Sequence, residues 1–367
     1  MNILHVYKTY FPDTQGGLEE VIRQIAAGTT LKGINNRIFT LSKSPSPESL
    51  ILDGVEVYRA KEHINIGSCG VTFNKFKEFK KQAAWADIIH YHYPWPFGDL
   101  LHLMCNPDKP VIVTYHSDII RQKKLKLLYS PLMHAFLKRV NTIVATSENY
   151  AHSSKVLSLY ADKVKVIPIG INDAYQEYDD SVLERYNLQH KQYYFFIGVL
   201  RYYKGLHVLL EAARNTDIQI VLSGDGPEYN KLKKNIDDQG ITNVKMTGKI
   251  ADEDKYSLLY HARAFVFPSN ERSEAFGVSL VEAAMYGVPM ISTELGTGTS
   301  YVNKDGVTGF VIKKNDPHAL REAMRTMQED GTMLADMSAQ ARRRYAKYFT
   351  AEKMVDAYIG IYKYLVN

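Results

Sequence analysis

Apolar residues recur along this chain with two alternating periods, and the alternation is its first legible property. Short β-branched and aromatic runs at Ile3–Tyr7, Asn36–Leu41, Val55–Arg59, Asp87–Tyr93, Val111–His116 and Thr142–Thr146 predict strands. Between several of them lie amphipathic stretches, Leu18–Leu31, Phe73–Trp85 and Leu125–Val140, that predict helices. Strands alternating with helices imply a mostly parallel sheet covered on both faces.

Around Ile167-Pro-Ile-Gly-Ile-Asn172 the rhythm stops, and a polar stretch rich in Asp, Tyr and Gln continues to about Lys191. The alternation then restarts. Strands are expected at Tyr193–Leu200, Ile218–Ser223, Val244–Thr247, Ala264–Pro268 and Met290–Thr293, with helices at Gly205–Arg214, Asp252–Ala262 and Gly277–Met285. This reading divides the chain into a first α/β domain (1–170), a linker (171–191), a second α/β domain (192–350) and an aromatic-rich terminal helix (351–367) that packs back on the first domain. Two such domains on one hinge are expected to hold a ligand in a cleft at the carboxyl ends of their sheets.

Length and composition agree with this division. The 367 residues suit two domains of about 150 to 200 each. Two cysteines, Cys69 and Cys105, imply no disulfide framework and suit a reducing compartment. The opening apolar run is broken at Lys8, and no run approaches the roughly 18 to 20 apolar residues of a membrane span, so a cytoplasmic location is expected. Charge is uneven. Residues 1–170 hold 21 Lys and Arg against 14 Asp and Glu, whereas the rest hold 24 against 26. Within 121–139, Arg121, Lys123, Lys124, Lys126, Lys138 and Arg139 face no acid at all. That stretch reads either as a surface for an anionic membrane leaflet or as a solvated basic face. No nucleic-acid partner is expected.

Candidate chemistry concentrates after predicted strands. Glu274-Ala-Phe-Gly-Val-Ser-Leu-Val-Glu282 follows Ala264–Pro268, with Gly277 where a helix begins and backbone N–H groups are unsatisfied. Glu274 is placed to accept from sugar hydroxyls, and Glu282, about one and a half turns inside the helix, to reach a ribose diol. Gly16-Gly17 lies between the first strand and helix, and Arg201 and Lys204 flank a strand-to-helix turn. His116 ends a strand. His90 and His92 alternate with tyrosines, a spacing that would need a third ligand to hold a metal, so they read as acceptor-site lining or packing. Asp252-Glu-Asp254 has the form of a metal-binding Asp-x-Asp pair but opens a predicted helix, where an N-cap Asp and first-turn acids are ordinary.

The segment F-P-S-N-E-R-S-E-A-F-G-V-S-L-V-E-A-A-M-Y-G-V-P resembles the signature of glycosyltransferase family 4. F-P-D-T-Q-G-G-L-E-E, Y-H-S-D at 115–118, F-I-G-V-L-R-Y-Y-K-G at 196–205 and G-D-G-P at 224–227 recur in that family's order, so the resemblance covers nearly the whole chain. It implies two Rossmann-like domains facing each other across a cleft, the GT-B fold, with acceptor on the first domain and nucleotide sugar on the second. It also implies a retaining transfer without metal or other cofactor. The catalytic residues so implied are His116, toward the donor sugar, Arg201 and Lys204, toward the departing diphosphate, and Glu274. Donor-binding positions are Gly16, Gly17, Gly224, Gly226, Lys249, Ile250, Ala275, Phe276, Gly277 and Glu282. The arginine departs from the family pattern: Val199 stands in the usual place and Arg201 comes two residues later, while Lys204 keeps register. Residues 292–303, S-T-E-L-G-T-G-T-S-Y-V-N, resemble bacterial O-antigen mannosyltransferases that use GDP-mannose, with other GDP- or UDP-sugars open. The partners so implied are a nucleotide-sugar donor, a lipid-linked glycan acceptor and a membrane bound peripherally. Two other readings share such a fold, a nucleotide-sugar epimerase and a non-catalytic sugar-nucleotide binding protein.

Overall fold

The structure, a computed structural model, describes residues 1–67, 69–73, 75–120, 123–173 and 178–367, without the side chains of Lys123, Lys124 and Lys126. Arg121 lies outside the described residues, and so do those three lysine side chains. The chain forms two compact units, Met1–Asn172 with Thr350–Asn367, and Asp173–Phe349.

In the first unit the strands are β1 (Asn2–Val6), β2 (Asn35–Ser42), β3 (Ser49–Leu52), β4 (Val55–Lys61), the short pair β5 (Ile64–Ile66) and β6 (Cys69–Val71), then β7 (Ile88–Tyr93), β8 (Val111–Tyr115), β9 (Thr142–Ala145) and β10 (Val164–Val166). Eight of them form one sheet in the order β10-β9-β8-β7-β1-β2-β4-β3, parallel except for the edge strand β3. Helices α1 (Gly17–Leu31), α2 (Phe76–Trp85), α3 (Pro96–Cys105), α4 (Lys123–Arg139) and α5 (Glu148–Ser153) join the strands. Strand order reverses between β1 and β7, the switch point at which such sheets open a crevice at their carboxyl edge.

α1 buries Val21, Ile22, Ile25, Ala26 and Thr29, one stripe at helical spacing. The C-terminal helix Ala351–Val366 lies against it, burying Met354, Val355, Tyr358 and Tyr362. Its tyrosines reach the sheet. Tyr362 Oη is 2.7 Å from His90 Nδ1, and Tyr358 Oη is 2.8 Å from Thr114 Oγ1.

The second unit holds β11 (Tyr193–Ile197), β12 (Gln219–Ser223), β13 (Val244–Gly248), β14 (Ala264–Phe267), β15 (Met290–Glu294) and β16 (Gly309–Lys313), all parallel, in the order β13-β12-β11-β14-β15-β16. Its helices are α6 (Ser181–Arg185), α7 (Leu206–Ala213), α8 (Tyr229–Asp238), α9 (Asp252–His261), α10 (Val278–Met285), α11 (Thr299–Val302), α12 (Pro317–Glu329) and α13 (Gly331–Tyr348). Here the reversal falls between β11 and β14.

Three expectations need correction. Residues 178–191, taken for linker, belong to the second unit: Arg185 Nη2 donates to Asp254 Oδ1 at 2.5 Å, and the Asp179 amide to Ser257 Oγ at 3.0 Å. The strand expected to run to Leu200 stops at Ile197, because the Leu200 amide turns away to the Asp225 carbonyl at 2.9 Å. Asp252 is not the cap of α9. Ala251 holds that position, and Asp252, Glu253 and Asp254 form the first turn, where they favour the positive end of the helix dipole.

Histidines inside the first sheet carry a pH consequence. Burial holds His5 near pKa 4 and His116 near 3, and holds His90 and His92 well below 6.5. The unfolded chain takes up protons below pH 6.5 that the folded sheet refuses, so stability falls from pH 6.5 down toward 4. The loss is about 1.4 kcal/mol per pH unit for each such histidine. Trp85 and Trp95, the chain's two tryptophans, both lie in the first unit and report its unfolding. Urea midpoints by tryptophan fluorescence should drop steeply between pH 6.5 and 4.5, and less steeply in His90→Gln. Equal slopes would locate the proton uptake elsewhere.

Candidate active site

In the second unit the loops leaving β11 and β14, the strands at the switch point, are strapped together. The Asn270 amide donates to the Tyr203 carbonyl at 2.9 Å. Gly205 sits at φ +66°, where a Cβ would stand 2.0 Å from the Pro268 carbonyl oxygen, so only glycine permits this approach. Lys204, held immediately before it, reaches the other loop. Its Nζ donates to Glu274 Oε2 at 2.6 Å and stands 4.5 Å from the Phe267 ring centroid. Both side chains are only 11% exposed. The two residues expected to meet diphosphate and sugar therefore form one buried ion pair. Beside them, burial and the Glu274 charge push Tyr203 up to about 12.

Gly277 caps α10 with φ +88°, and the amides of Ala275, Phe276 and Gly277 make no hydrogen bond among the described residues. The Ala275 carbonyl accepts from the Gly298 amide at 2.8 Å, which pins the turn to the loop after β15. Arg272 binds that loop too, donating to the Leu295 and Gly296 carbonyls. Three free donors at a helix start suit an anion.

One turn into α10, Glu282 Oε1 accepts from Lys255 Nζ of α9 at 3.1 Å. Burial lowers the Lys255 pKa, but the charges of Glu282 and Asp252 outweigh it and raise the pKa on balance. Lys255, which holds Glu282, was not singled out in the sequence. Its nearest pattern is an i,i+3 partner for Asp252, and nothing local ties it to Glu282. The acids of Asp252-Glu-Asp254 have protein partners: Asp252 pairs with Lys255, and Asp254 accepts from Arg185 and Tyr186.

The other expected donor contacts are placed as follows. A Cβ on Gly224 would stand 2.0 Å from the Gly198 carbonyl oxygen, so the closeness allowed there is to the β11 loop itself. Gly226 meets Leu200 in the same way. Lys249 is exposed and Ile250 half-buried just past β13. Arg201 is exposed and forms no ion pair among the described residues.

In the first unit Gly16 caps α1 in extended conformation, and Gly16 and Gly17 are exposed. A Cβ on Gly16 would stand 2.7 Å from Glu19 Oε2, whose carboxylate accepts from Thr9 and Thr14. His116 follows β8, is 7% exposed, and its Nε2 lies 3.1 Å from His92 Nδ1. The third histidine that the pair His90 and His92 wanted is His5, whose ligand atoms with theirs all fall within 4.8 Å. All six ring nitrogens nevertheless have protein partners. His5 bonds Asn36 and His92, His90 bonds Tyr362 and Thr114, and His92 bonds His5 and His116. The cluster is a hydrogen-bond network by its own geometry. A His inside the apolar run Ile3–Val6 was the signal for it.

Removing one member of a buried pair strands the other charge, which costs about 3–5 kcal/mol. Lys204→Met should lower the urea stability of the second unit by that order, and Lys204→Met with Glu274→Leu should recover most of it. Circular dichroism on both variants decides, and a double variant no more stable than the single one would mean that the pair is not what Lys204 contributes.

Residues 15–175 match a family model described as Glycosyltransferase Family 4, and residues 183–344 match one described as Glycosyl transferases group 1. The chain is 46% identical over 353 residues to the D-rhamnosyltransferase WbpZ of Pseudomonas aeruginosa, covering 96% of this chain and 93% of that one. It is 42% identical over 368 residues to the O-antigen chain mannosyltransferase C of Escherichia coli, covering 100% and 99%. The fold is that of sucrose-phosphate synthase from Thermosynechococcus elongatus, with a TM-score of 0.81 at 18% identity over 99% of this chain and 98% of that one. With two α/β units, a Lys–Glu pair at a switch point and relatives this similar over its whole length, the chain belongs to the family 4 glycosyltransferases and has the GT-B fold.

Proposed function

We propose that this glycosyltransferase moves mannose from GDP-mannose, with retention and without metal, to a hydroxyl of a lipid-linked O-antigen glycan. The observation that carries the proposal is the buried Lys204–Glu274 pair beside the three free amides of 275–277. A nucleotide sugar supplies a diphosphate for the ammonium and amides, and hydroxyls for the carboxylate, so it replaces the internal contact with matched external ones. Lys204, Arg201 and the Gly17 backbone then stabilise charge on the departing diphosphate. Its oxygen takes the acceptor's proton as the acceptor attacks from the same face, so no carboxylate nucleophile is required. Glu282, held by Lys255, takes the ribose diol, and Gly224, Gly226, Lys249 and Ile250 line the base. His116 and Gly16 contribute from the first unit, which also takes the acceptor. Pairing of Asp252 and Asp254 with protein cations supports the metal-free reading.

The mannosyl donor draws support from the Escherichia coli relative and from residues 292–303. A D-rhamnosyl donor is the second reading, favoured by the 46% identity to WbpZ. Transfer assayed with both donors and a lipid-linked acceptor separates them.

Glu274→Gln keeps the shape of the buried site and removes the charge. It should lower kcat by roughly a hundred- to thousand-fold, as expected for one transition-state contact. Excess EDTA should leave the wild-type rate unchanged. A near-wild-type rate in Glu274→Gln would overturn the site, and loss on chelation with recovery on magnesium would overturn the metal-free mechanism.

The acceptor's lipid would bring the enzyme to a membrane surface. No helix among the described residues is long and apolar enough to cross one. On α4, Leu125, Leu127 and Leu128 are 49%, 77% and 80% exposed beside the basic stretch. Apolar side chains interleaved with cations favour an anionic leaflet by about 1 kcal/mol per cation. Co-sedimentation with anionic vesicles should exceed that with neutral ones and fall with salt and in Leu127→Glu/Leu128→Glu. Equal recovery would leave a solvated face.

A further inference from the structure

The histidines of the first sheet form a directed chain whose protons can be assigned one at a time. Asn36 anchors it. Its Nδ2 is surrounded by the carbonyls of Ala26 (3.0 Å) and Ile34 (3.2 Å) and by the hydroxyls of Thr29 and Thr30, both at 2.9 Å. Those hydroxyls already donate to helix carbonyls, so they accept from Asn36. The amide orientation is therefore fixed, and Oδ1, an acceptor only, faces His5 Nε2 at 3.1 Å.

From there each step follows. His5 must donate through Nε2, and a neutral ring then leaves Nδ1 as a lone pair. His92 Nε2, 3.1 Å from that nitrogen, must donate to it. His92 Nδ1 is left as acceptor and receives from His116 Nε2 at 3.1 Å. His116 Nδ1 is left unprotonated, and it makes no hydrogen bond among the described residues. The rings are neutral because burial holds all three below the usual histidine range. The chain crosses β2, β1 and β7 and ends just past β8, at the carboxyl edge of the sheet.

We propose that Asn36, His5 and His92 are positioning residues that lock His116 in its Nε2–H tautomer, so that His116 presents Nδ1 as an acceptor for a sugar hydroxyl and not as a donor to phosphate. The inference rests on the reading of His116 as a donor-sugar contact. An unlocked imidazole would divide between two tautomers, only one of which accepts at Nδ1. The locked one spends no free energy on that choice when substrate arrives.

Nitrogen-15 spectra of histidine-labelled protein at pH 7 test the lock without substrate, because protonated and bare ring nitrogens resonate far apart. Signals are assigned through His116→Ala, His92→Gln and His5→Gln. In the wild type His5, His92 and His116 should each show protonated Nε2 and bare Nδ1. His5→Gln, whose amide donates to Asn36 and accepts from His92, should preserve the His116 pattern. His5→Leu should bring protonated Nδ1 into the His116 signal and lower kcat/KM by about ten-fold, the scale of one hydrogen bond. A protonated Nδ1 on His116 in the wild type overturns the lock whatever the activity. Full turnover in His116→Ala removes the sugar contact instead, even with the wild-type tautomers as derived.

Discussion

Taking an ammonium and a carboxylate out of water costs several kcal/mol for each ion, and only close mutual pairing offsets it. Lys204 and Glu274 meet that condition at 2.6 Å, and much of the second unit serves to make the distance possible. Gly205 allows the chain to turn against Pro268, Asn270 ties the β14 loop to Tyr203, and Gly298 holds the turn that follows Glu274. The pair stands where strand order reverses, so neither loop is covered by a crossover on that side. The pair therefore stands at the sheet's carboxyl edge, directly followed in the chain by the unbonded amides of 275–277.

The first sheet meets the same difficulty in another way. Its central strands are buried on both faces, and β7 carries two histidines among apolar neighbours. Here the polar groups are neutral and satisfied by one another, by Asn36, by Thr114 and by the tyrosines of the C-terminal helix. That helix is thus more than an apolar cover. Without Tyr362 and Tyr358, His90 and Thr114 would lose partners inside the sheet, and a buried unsatisfied group costs about 1–3 kcal/mol.

Most of the architecture was legible because its signal is local. The eleven strands expected from short apolar runs are all present, and the terminal helix spans Ala351–Val366 as its aromatic spacing indicated. The elements missed include the short strands β3, β5, β6 and β10, helices α3, α5 and α8, the helices α12 and α13, whose buried stripes sit among many charges, and β16, whose Phe-Val-Ile run was passed over. Glu274 and Lys204 were each singled out in the sequence, but their contact with one another was not foreseen. Seventy residues separate them, and strand order, not sequence spacing, joins them. Nor did the sequence foretell their burial, which comes from the pairing itself. Lys255 and His5 were missed for the same reason, since each finds its partner across the sheet or on another helix.

The two units thus handle polarity with opposite protonation logic, and the difference bears on what each can recognise. A charged pair attracts phosphate and hydroxyl alike, and its strength comes from the low dielectric around it. A neutral imidazole with an assigned tautomer cannot attract charge, but it discriminates direction: it accepts from an O–H and refuses a bare oxygen. The charged pair and the neutral imidazole are thus two answers to placing polarity at the carboxyl edge of a buried sheet, one by mutual attraction and the other by the direction of donor and acceptor.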